Sequence, residues 1–369
     1  MRVLFTTNIP SPYRVDFFNE LGKACDLTVL YERSEANNRN NEWLSTKATN
    51  FKEVYLKGLK IGSDSALCPG IVKYFDEKLY DVFVVGGYCT PSGILSILYL
   101  KLKKIPFVLD FDGGFIKSNK TLRHYLKKFL ISSASWWTST GSKTSDYLCY
   151  YGAKPNNIYT YPFTSIKKDD IIKTTVEYEA KQAFRHELNM PEDKIIISVG
   201  RLVYVKGYDI LLKACTKLDK NTGVYIVGGN ATGEYSDMKK ELNLANVHFV
   251  EFKTKDALAK YYKASDLFVL PSRGDVWGLV INEAMAYGLP VITTDHCVAG
   301  LELVKNGDNG YIVPVDDSEA LAEKCLSVLT DDELRAQMSE KSLEKIQEYT
   351  IENMADRYLH IFKKISGLR

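Results

Sequence analysis

The sequence predicts an α/β protein made of two doubly wound parallel sheets, each in its own domain. Its 369 residues suit two domains, because a domain of this kind takes roughly 150 residues. Short runs that are apolar at every position recur along the chain, and each is followed by a turn and a helical stretch, which is typical of strands covered by helices on both faces. These runs form two successive sets, at 3–7, 27–31, 82–85, 107–109 and 136–139, and at 195–199, 224–227, 247–250, 267–270 and 291–293.

The composition argues against several other classes of protein. The 48 Lys and Arg against 46 Asp and Glu give a net charge of +2, which is too small to favour a nucleic-acid partner. The seven cysteines contain no C-x-x-C pair and the five histidines never fall three to five positions apart, so we expect neither disulfides nor a metal site. No signal peptide or membrane-spanning run is visible, and we expect a cytoplasmic location.

The predicted domains are residues 1–165 and 166–350, followed by a terminal helix at 351–369 that could pack back on the first domain. Residues 32–50 are polar and rich in asparagine, and they predict a mobile loop over the first domain. Open parallel sheets bind ligands at the carboxyl ends of their strands. We therefore expect the functional residues in the loops that follow the strands, lining a cleft between the two sheets.

The first candidate loop follows the strand at 195–199. Gly200 permits a sharp turn, and Arg201 and Lys206 place two cations five residues apart at the edge of the sheet. The planar guanidinium and the compact ammonium together suit a diphosphate. Two solvated loop cations are the alternative.

The second candidate loop follows the strand at 267–270. A helix is expected to begin near Gly278, so that the backbone N–H groups of Gly278 and Leu279 are free to bind phosphate oxygens. Glu283 lies one turn into this helix, where it can accept hydrogen bonds from two vicinal hydroxyls or simply interact with the helix dipole. Asp275 lies in the loop itself, at a position where turns also favour Asp.

Several segments of the second half resemble family 4 retaining glycosyltransferases, which have the GT-B fold of two Rossmann-like domains facing across a cleft. The residues that carry the resemblance lie at 200–207, 261–272, 277–286, 288–292 and 306–310. In the first half, residues 8–14 and 112–114 resemble bacterial polysaccharide-assembly members of that family.

The resemblance implies a nucleotide diphosphate sugar as co-substrate, with UDP as the default, and no cofactor. Arg201 and Lys206 would hold the diphosphate and Glu283 the ribose hydroxyls. Asp275 would contact the donor sugar with help from backbone amides at Trp277, Gly278 and Leu279. The family usually has Glu at the position of Asp275, so the reach to the sugar is one methylene shorter here.

Two further donor contacts are implied. Gly228 follows the strand at 224–227 and resembles the loop of the family near the base or the diphosphate, although a plain glycine turn would look the same. Phe252 follows the strand at 247–250, where the resemblance places the nucleobase, or else it belongs to the core.

The acceptor-side candidates are Arg14, Tyr88, Asp112 and Gly113, each in a loop after a strand of the first domain. Arg14 could reach a phosphate or an acceptor, or could be solvated at the start of a helix. Residues 86–93, which contain Tyr88, leave room for an acceptor or form a tight turn before a helix. The family often has a catalytic His in this domain, but residues 110–114 contain none.

A strongly apolar helix with a basic end is expected at 94–104, and Arg123, His124, Lys127 and Lys128 form a second basic cluster. Together they could touch an anionic bilayer that holds a lipid-linked acceptor, at the inner face of the membrane. A helix that covers the sheet with its lysines in solvent is the alternative.

The sequence therefore predicts a metal-independent, retaining hexosyltransferase that moves a sugar to a glycan or lipid-linked glycan acceptor in surface polysaccharide assembly. Two alternatives stay open at this point. One is a nucleotide-sugar epimerase of the same architecture, and the other is an inactive protein that binds a nucleotide sugar and acts as a scaffold.

Overall fold

The computed structural model describes residues 1–35, 47–116, 120–231 and 233–367. These residues divide into two compact units, one made of residues 1–165 with 349–369 and the other of residues 166–348. The central part of the predicted mobile loop, residues 36–46, lies outside the described residues.

The first unit contains one large parallel sheet. In chain order its strands are β1 (Arg2–Thr7), β2 (Asp26–Tyr31), β3 (Lys52–Tyr55), β4 (Leu59–Ile61), β5 (Ser65–Leu67), β6 (Val82–Val85), β7 (Val108–Phe111), β8 (Trp136–Ser139) and β9 (Ile158–Thr160). Among the described residues, β4 and β5 form an antiparallel hairpin and the other strands form a sheet in the order β3-β2-β1-β6-β7-β8-β9. The order of the strands reverses between β1 and β6, as in doubly wound folds.

The helices of the first unit that follow these strands are α1 (Pro12–Leu21), α2 (Pro91–Lys103), α3 (Leu122–Ile131) and α4 (Ser142–Tyr150). The start of α2 is specified locally, because the hydroxyl of Thr90 accepts a hydrogen bond from the amide of Gly93 and Pro91 occupies the first turn. The central strands β1 and β6 are fully buried along most of their length, as their unbroken apolar runs predict.

The second unit has a parallel sheet of the same kind. Its strands are β10 (Lys194–Val199), β11 (Thr222–Val227), β12 (Val247–Val250), β13 (Leu267–Leu270), β14 (Val291–Thr294) and β15 (Gly310–Val313), in the order β12-β11-β10-β13-β14-β15. Its helices are α5 (Tyr178–Glu187), α6 (Tyr208–Cys215), α7 (Gly233–Glu241), α8 (Lys255–Ala264), α9 (Leu279–Ala286), α10 (Val298–Leu303), α11 (Ser318–Thr330) and α12 (Asp332–Ile346). The strand order reverses between β10 and β13, and ligands bind at such reversal points in open α/β sheets.

The last helix, α13 (Ile351–Ser366), belongs to the first unit. Its Tyr358 is fully buried and donates a hydrogen bond to the carboxylate of Asp110 in β7, while the guanidinium of Arg357 donates to the carbonyl of Thr160 at 2.9 Å. The ring of Tyr358 packs against Phe17 of α1, with centroids 4.8 Å apart. The terminal segment thus completes the core of the first unit.

A buried ion cluster anchors the start of β13 in the second unit. Asp266 accepts hydrogen bonds from Arg185 at 2.5 Å, from Lys181 at 2.9 Å and from the amide of Ile195 at 2.8 Å. Burial opposes ionisation of this carboxyl, but the charges of Lys181 and Arg185 outweigh it and lower the pKa of Asp266. The carboxylate therefore joins α5 to β10 and β13.

We predict that Asp266→Asn lowers the free energy of unfolding at pH 7 by about 3–5 kcal/mol, because it leaves a buried guanidinium without its counter-charge. Since the pKa of Asp266 is lower in the folded protein than its ordinary value of 3.8, this stabilisation is present above 3.8 and is lost as the pH falls through the folded value. Urea unfolding followed by circular dichroism at pH 7 and in acid measures both effects. Lys240→Ala, on an exposed face of α7, is the control and should change stability by less than about 0.5 kcal/mol. Equal stabilities of Asp266→Asn and wild type would contradict the role of the cluster.

Candidate functional site

The loops after β10 and β13 meet at the point where the second sheet reverses. Gly207 has a φ of +68°, and a Cβ atom built on it would lie 2.0 Å from the carbonyl oxygen of Pro271. A Cβ atom on Gly228, in the loop after β11, would lie 2.2 Å from the carbonyl oxygen of Gly200. Only glycine permits these approaches. The three loops are therefore in direct backbone contact.

This contact brings two predicted site residues together. The ammonium of Lys206 lies 2.6 Å from a carboxylate oxygen of Asp275, and both side chains are less than one-fifth exposed. The hydroxyl of Ser272 donates to the same oxygen at 3.0 Å, and the amide of Asp275 donates to the carbonyl of His296 at 2.9 Å. The carboxylate and the ammonium are thus held in place before any ligand binds.

Arg201 stands at the other end of the same loop. Its side chain is exposed, and it makes no hydrogen bond or ion pair with the described residues. Such a guanidinium keeps all of its donors available for an anion.

Helix α9 begins where the sequence predicts, directly after Gly278. Gly278 has a φ of +107°, and a Cβ atom on it would lie 2.8 Å from the sulfur of Cys297, so the chain turns tightly against α10 before the helix starts. The first amides of a helix have no partner within it, and those of Leu279 onwards begin at the same sheet edge as Lys206. The indole of Trp277 is buried and donates to the side-chain oxygen of Asn282 at 2.9 Å; any ligand contact of Trp277 is therefore through its backbone.

Glu283 lies one turn into α9 and is half-buried. Its carboxylate accepts a hydrogen bond from the hydroxyl of Tyr262 at 3.1 Å. Burial raises the pKa of Tyr262 well above its ordinary value, and the Glu283 charge raises it further. Tyr262 therefore stays protonated and holds the carboxylate of Glu283 in position.

Arg273 is a residue of this site that the sequence did not indicate. Its guanidinium donates to both carboxylate oxygens of Asp209 at 2.8 and 2.6 Å, and to Asp316 at 2.6 Å. It also donates to the carbonyl of Tyr204 at 2.9 Å and lies 4.1 Å from the centre of that ring. Hydrogen bonds to Asp209 raise its pKa above the ordinary value. Arg273 thus ties the loop of Lys206 to the loop of Asp275, and the only local signal for it is an Arg three residues after the end of a strand.

The two remaining donor candidates lie in the loops after β11 and β12. The amides of Gly228 and Gly229 both donate to the carbonyl of Val250, at 2.9 and 3.2 Å, so these bonds hold the start of the loop against the end of β12. Phe252 is 42% exposed, so it does not belong to the core and is available to a ligand.

The acceptor-side candidates lie in the first unit, around the carboxyl end of β7. Arg14 is buried rather than solvated: its guanidinium lies 3.0 Å from Asp110 and also pairs with Asp112. Desolvation raises the pKa of Asp112 and the neighbouring Asp110 charge adds to the rise, although Arg14 opposes it. One-third of the Asp112 side chain is exposed, and Gly113 beside it has a φ of +133°. The guanidinium of Arg14 therefore positions Asp112.

Tyr88 lies apart from these carboxylates, in a buried aromatic cluster. Its hydroxyl is 2.5 Å from the hydroxyl of Tyr147, which also accepts a hydrogen bond from Lys127 at 3.1 Å. His124 is buried among Tyr125, Tyr150 and Tyr151. Lys127 and His124 are therefore directed inward and do not belong to a surface basic cluster.

Over the described ranges, no three His, Cys, Asp or Glu side chains are grouped to hold a metal ion. Within the same ranges, none of the helices is both long enough and apolar enough to span a bilayer.

Comparison with known proteins gives similarity along most of the chain. Residues 180–345 match the family described as Glycosyl transferases group 1. An uncharacterized glycosyltransferase of Haemophilus influenzae is 32% identical over 76% of this chain and 75% of its own length. An N,N'-diacetylbacillosaminyl-diphospho-undecaprenol alpha-1,3-N-acetylgalactosaminyltransferase of Campylobacter jejuni is 24% identical over 74% of this chain and 75% of its own length. A D-inositol 3-phosphate glycosyltransferase of Corynebacterium aurimucosum is 29% identical over 58% of this chain, which spans only 52% of that relative.

Solved structures show the same fold at lower identity. Sucrose-phosphate synthase from Thermosynechococcus elongatus aligns over the whole of both chains with a TM-score of 0.79 and 18% identity. HepE of Anabaena, solved in complex with UDP-glucose, also aligns over the whole of both chains, with a TM-score of 0.77 and 16% identity. The predicted fold class, α/β of the GT-B type with two Rossmann-like sheets, is confirmed.

We predict that Gly207→Ala destabilises the protein by at least about 1–2 kcal/mol, the cost of a left-handed conformation for a residue with a Cβ, and that it separates the loops of Lys206 and Asp275. Thermal unfolding of the variant measures the first effect. Gly274→Ala is the matched control in the same loops, because its Cβ would meet only Val205 at 3.8 Å. If both variants unfold at the wild-type temperature, the backbone contact at Gly207 does not matter for stability.

Proposed function

Because the chain belongs to the group 1 glycosyltransferases, we propose that it transfers a sugar from a nucleotide diphosphate sugar to an acceptor hydroxyl. The observation that carries this proposal is the arrangement at the reversal point of the second sheet. There Lys206, on the loop that also carries the exposed Arg201, pairs with Asp275 of the loop that leads into α9. UDP is the proposed nucleotide, in line with the ligand of the Anabaena structure.

In the proposed reaction, the bond between the anomeric carbon and the diphosphate oxygen breaks while negative charge builds on that oxygen. Arg201, Lys206 and the first amides of α9 stabilise this charge without having to reorganise. The ribose hydroxyls donate to Glu283, which Tyr262 holds in place. The Gly228 turn lies beside the diphosphate and Phe252 packs on the base.

Asp275 is assigned to the hydroxyls of the donor sugar. The side chain of Asp275 is one methylene shorter than that of the Glu usual at this position in the family. Lys206 and Ser272 nevertheless fix where its carboxylate oxygens lie. When the donor binds, the ammonium of Lys206 bridges Asp275 and a diphosphate oxygen. This bridge couples recognition of the sugar to stabilisation of the leaving group.

We assign retention of the anomeric configuration to this chemistry. The acceptor oxygen attacks on the face from which the diphosphate departs, and the leaving phosphate oxygen takes the acceptor proton. The two cations and the helix amides supply the positive charge that the leaving group needs, so the proposed transfer is independent of metal.

The proposed acceptor-side group of the first unit is Asp112. Its partly exposed carboxylate can accept a hydrogen bond from an acceptor hydroxyl, and Arg14 and Tyr161 hold it in position. Gly113 leaves space beside it, and the ring of Tyr88 stacks on that of the preceding residue Phe111, with centroids 5.4 Å apart.

A glycan carried on a lipid is the proposed acceptor, with the protein at the cytoplasmic face of the membrane in surface polysaccharide assembly. The support is a surface formed by the exposed sides of α2 and α3, here called the α2–α3 surface. Its exposed apolar side chains are Leu98, Leu102, Leu122, Tyr125, Leu126 and Phe129. Its exposed basic side chains are Lys101, Lys103, Lys104, Arg123 and Lys128.

The pattern of this surface suits an anionic bilayer. The ammonium of Lys101 lies 3.9 Å from the centre of the Phe129 ring, so charge and apolar area are interleaved. Helix α2 buries Ile97 and Leu100 against the sheet while Leu102 is 79% exposed. A helix that merely covers the sheet does not need an apolar residue at that exposed position.

We predict that Arg201→Ala and Lys206→Ala each lower the transfer rate by roughly 30- to 1000-fold, because each removes about 2–4 kcal/mol of transition-state stabilisation. The measurement is turnover of UDP-sugar with a glycan acceptor, with products separated by chromatography and the new anomeric linkage determined by NMR. Arg201→Ala is the cleaner variant, since Arg201 is exposed and has no hydrogen bond or ion pair to lose among the described residues.

Lys240→Ala serves as the control and should turn over at the wild-type rate. Near-normal transfer by both Arg201→Ala and Lys206→Ala would contradict the mechanism. Conversion of the donor to an isomeric sugar in the absence of acceptor would identify an epimerase, and binding without any turnover would identify a scaffold.

A second prediction concerns the α2–α3 surface. Reversing Arg123 and Lys128 together to Glu should weaken binding to vesicles that contain phosphatidylglycerol by at least roughly 30-fold, since each cation at an anionic surface contributes about 1 kcal/mol. Leu122→Ser should weaken it as well, because that side chain is 87% exposed. Vesicle co-sedimentation measures both.

Reversal of Lys239 and Lys240 on α7 provides a matched pair of charges on the second unit. Binding that falls equally in this pair and in the α2–α3 variants would show only a net-charge effect. Binding that is unchanged in all of them would remove the α2–α3 surface as the membrane contact.

A further inference from the structure

A small pocket lies in the second unit at the amino edge of its sheet, the edge opposite to the loops of Lys206 and Asp275. The pocket is lined by Ser265 and Leu289, which lie two residues before β13 and β14, and side chains of α5, α8 and α12 complete its wall. Its volume is about 150 Å³. One water needs only roughly 10–15 Å³ by the same kind of measure, so the pocket accommodates a larger group.

The wall of the pocket carries an excess of positive charge. Lys181, Lys263 and Arg335 line it, whereas Asp332 is the acidic residue among those lining it. Arg335 and Asp332 project from the first turn of α12, Lys181 from α5 and Lys263 from α8. Three separate helices thus direct cations to one place.

The carboxylates that pair with these cations are already shared with others. Asp266 is divided between Lys181 and Arg185, and Asp332 pairs with Lys194 at 2.8 Å as well as with Arg335. Lys263 makes no ion pair with any described residue, and its ammonium lies 5.5 Å from the centre of the Phe184 ring. Positive charge therefore exceeds negative charge among the residues that line the pocket.

Burial at the pocket makes this charge costly. The Lys181 side chain is only 19% exposed, and burial lowers its pKa; Asp266 opposes that effect, whereas the charges of Arg185 and Arg335 add to it. Burial also raises the pKa of the neighbouring Tyr287 to about 12, so its phenol stays protonated and able to donate. An anion in the pocket would be stabilised by the charges of Lys181 and Arg335 and by the phenol of Tyr287.

We propose that this pocket binds a phosphoryl-sized oxyanion, held by Lys181, Lys263 and Arg335. The chemistry is that of a phosphate group, either as the free ion or as the phosphomonoester of a small metabolite. The site is separate from the diphosphate-binding loops and does not depend on the proposed transfer reaction. A bound anion would link α5, α8 and α12, and would therefore stabilise the second unit.

The test is titration calorimetry of inorganic phosphate into the full chain, at constant ionic strength and with saturating UDP to occupy the loops at the opposite edge. We expect one phosphate per chain in the wild type. Lys263→Met should weaken this binding about tenfold or more, and Lys263→Arg should largely preserve it. Lys263 is the residue of choice because removing it breaks no ion pair, whereas Lys181 also supports Asp266.

Lys260→Met is the matched control, because Lys260 lies on the same helix and pairs with Glu187 at the surface. The proposal is overturned if no phosphate binds, or if Lys263→Met and Lys260→Met bind it as the wild type does. If UDP itself does not bind, the proposed donor is contradicted, but the comparison of Lys263 with Lys260 still decides the pocket. Repeating the titration with glycerol 3-phosphate identifies the source: tighter binding than inorganic phosphate indicates a phosphomonoester, and weaker binding indicates the free ion.

Discussion

The close approach of Gly207 to the carbonyl of Pro271 is the constraint on which the candidate site depends. It lets the loop after β10 lie directly on the loop after β13, so that Lys206, the preceding residue in the chain, reaches Asp275 with a contact of 2.6 Å. Arg273 closes the other side of the same junction through Asp209 and Asp316. The positions of the charged groups are therefore set by the backbone and by the partly buried guanidinium of Arg273 rather than by the ligand. This is the kind of preorganisation that electrostatic catalysis needs.

The charged groups of the molecule differ in how firmly they are held. Asp266 and Arg14 are buried in ion clusters, where loss of one partner is expensive, and such groups define structure. Lys206 and Asp275 are partly exposed and already paired, which suits groups that must exchange one partner for another. Arg201 is exposed and makes no hydrogen bond or ion pair with the part of the chain that the structure describes, so it adapts to a ligand at little cost to the fold. The buried charged groups therefore hold the structure together, whereas the partly exposed and exposed ones can change partners when a ligand binds.

Much of the fold was predictable from the sequence because central parallel strands are buried on both faces. The ten apolar runs correspond to β1, β2, β6, β7, β8 and to β10 through β14. The edge strand β3 was missed, since three of its four residues are exposed and, within the described sheet, it pairs with β2 from another part of the chain. The pattern of apolar residues within a segment does not predict a strand that is stabilised mainly by pairing with its neighbour.

The candidate site was predictable only in part, for a similar reason. Glycines and charged residues at strand ends pointed to Gly200, Lys206 and the start of α9. The contacts of Arg273 join residues 43 and 64 positions away, and those of Arg14 reach Asp112 across 98 positions, so nothing near either arginine in the sequence indicates its partner. The direction of His124 likewise depends on the aromatic rings of α4, which the spacing of α3 alone does not reveal.

The return of α13 to the first unit affects how the protein is made. Tyr358 reaches Asp110 across 248 residues of sequence, and at roughly 5–20 residues per second a ribosome needs roughly 12–50 s to synthesise that stretch. During this time the nascent first unit lacks the helix that covers Phe17 and the Asp110 carboxylate, while the whole of the second unit is synthesised. The first unit therefore cannot complete its core until the second unit has been made, and the uncovered face of α1 is the segment that a chaperone would have to shield.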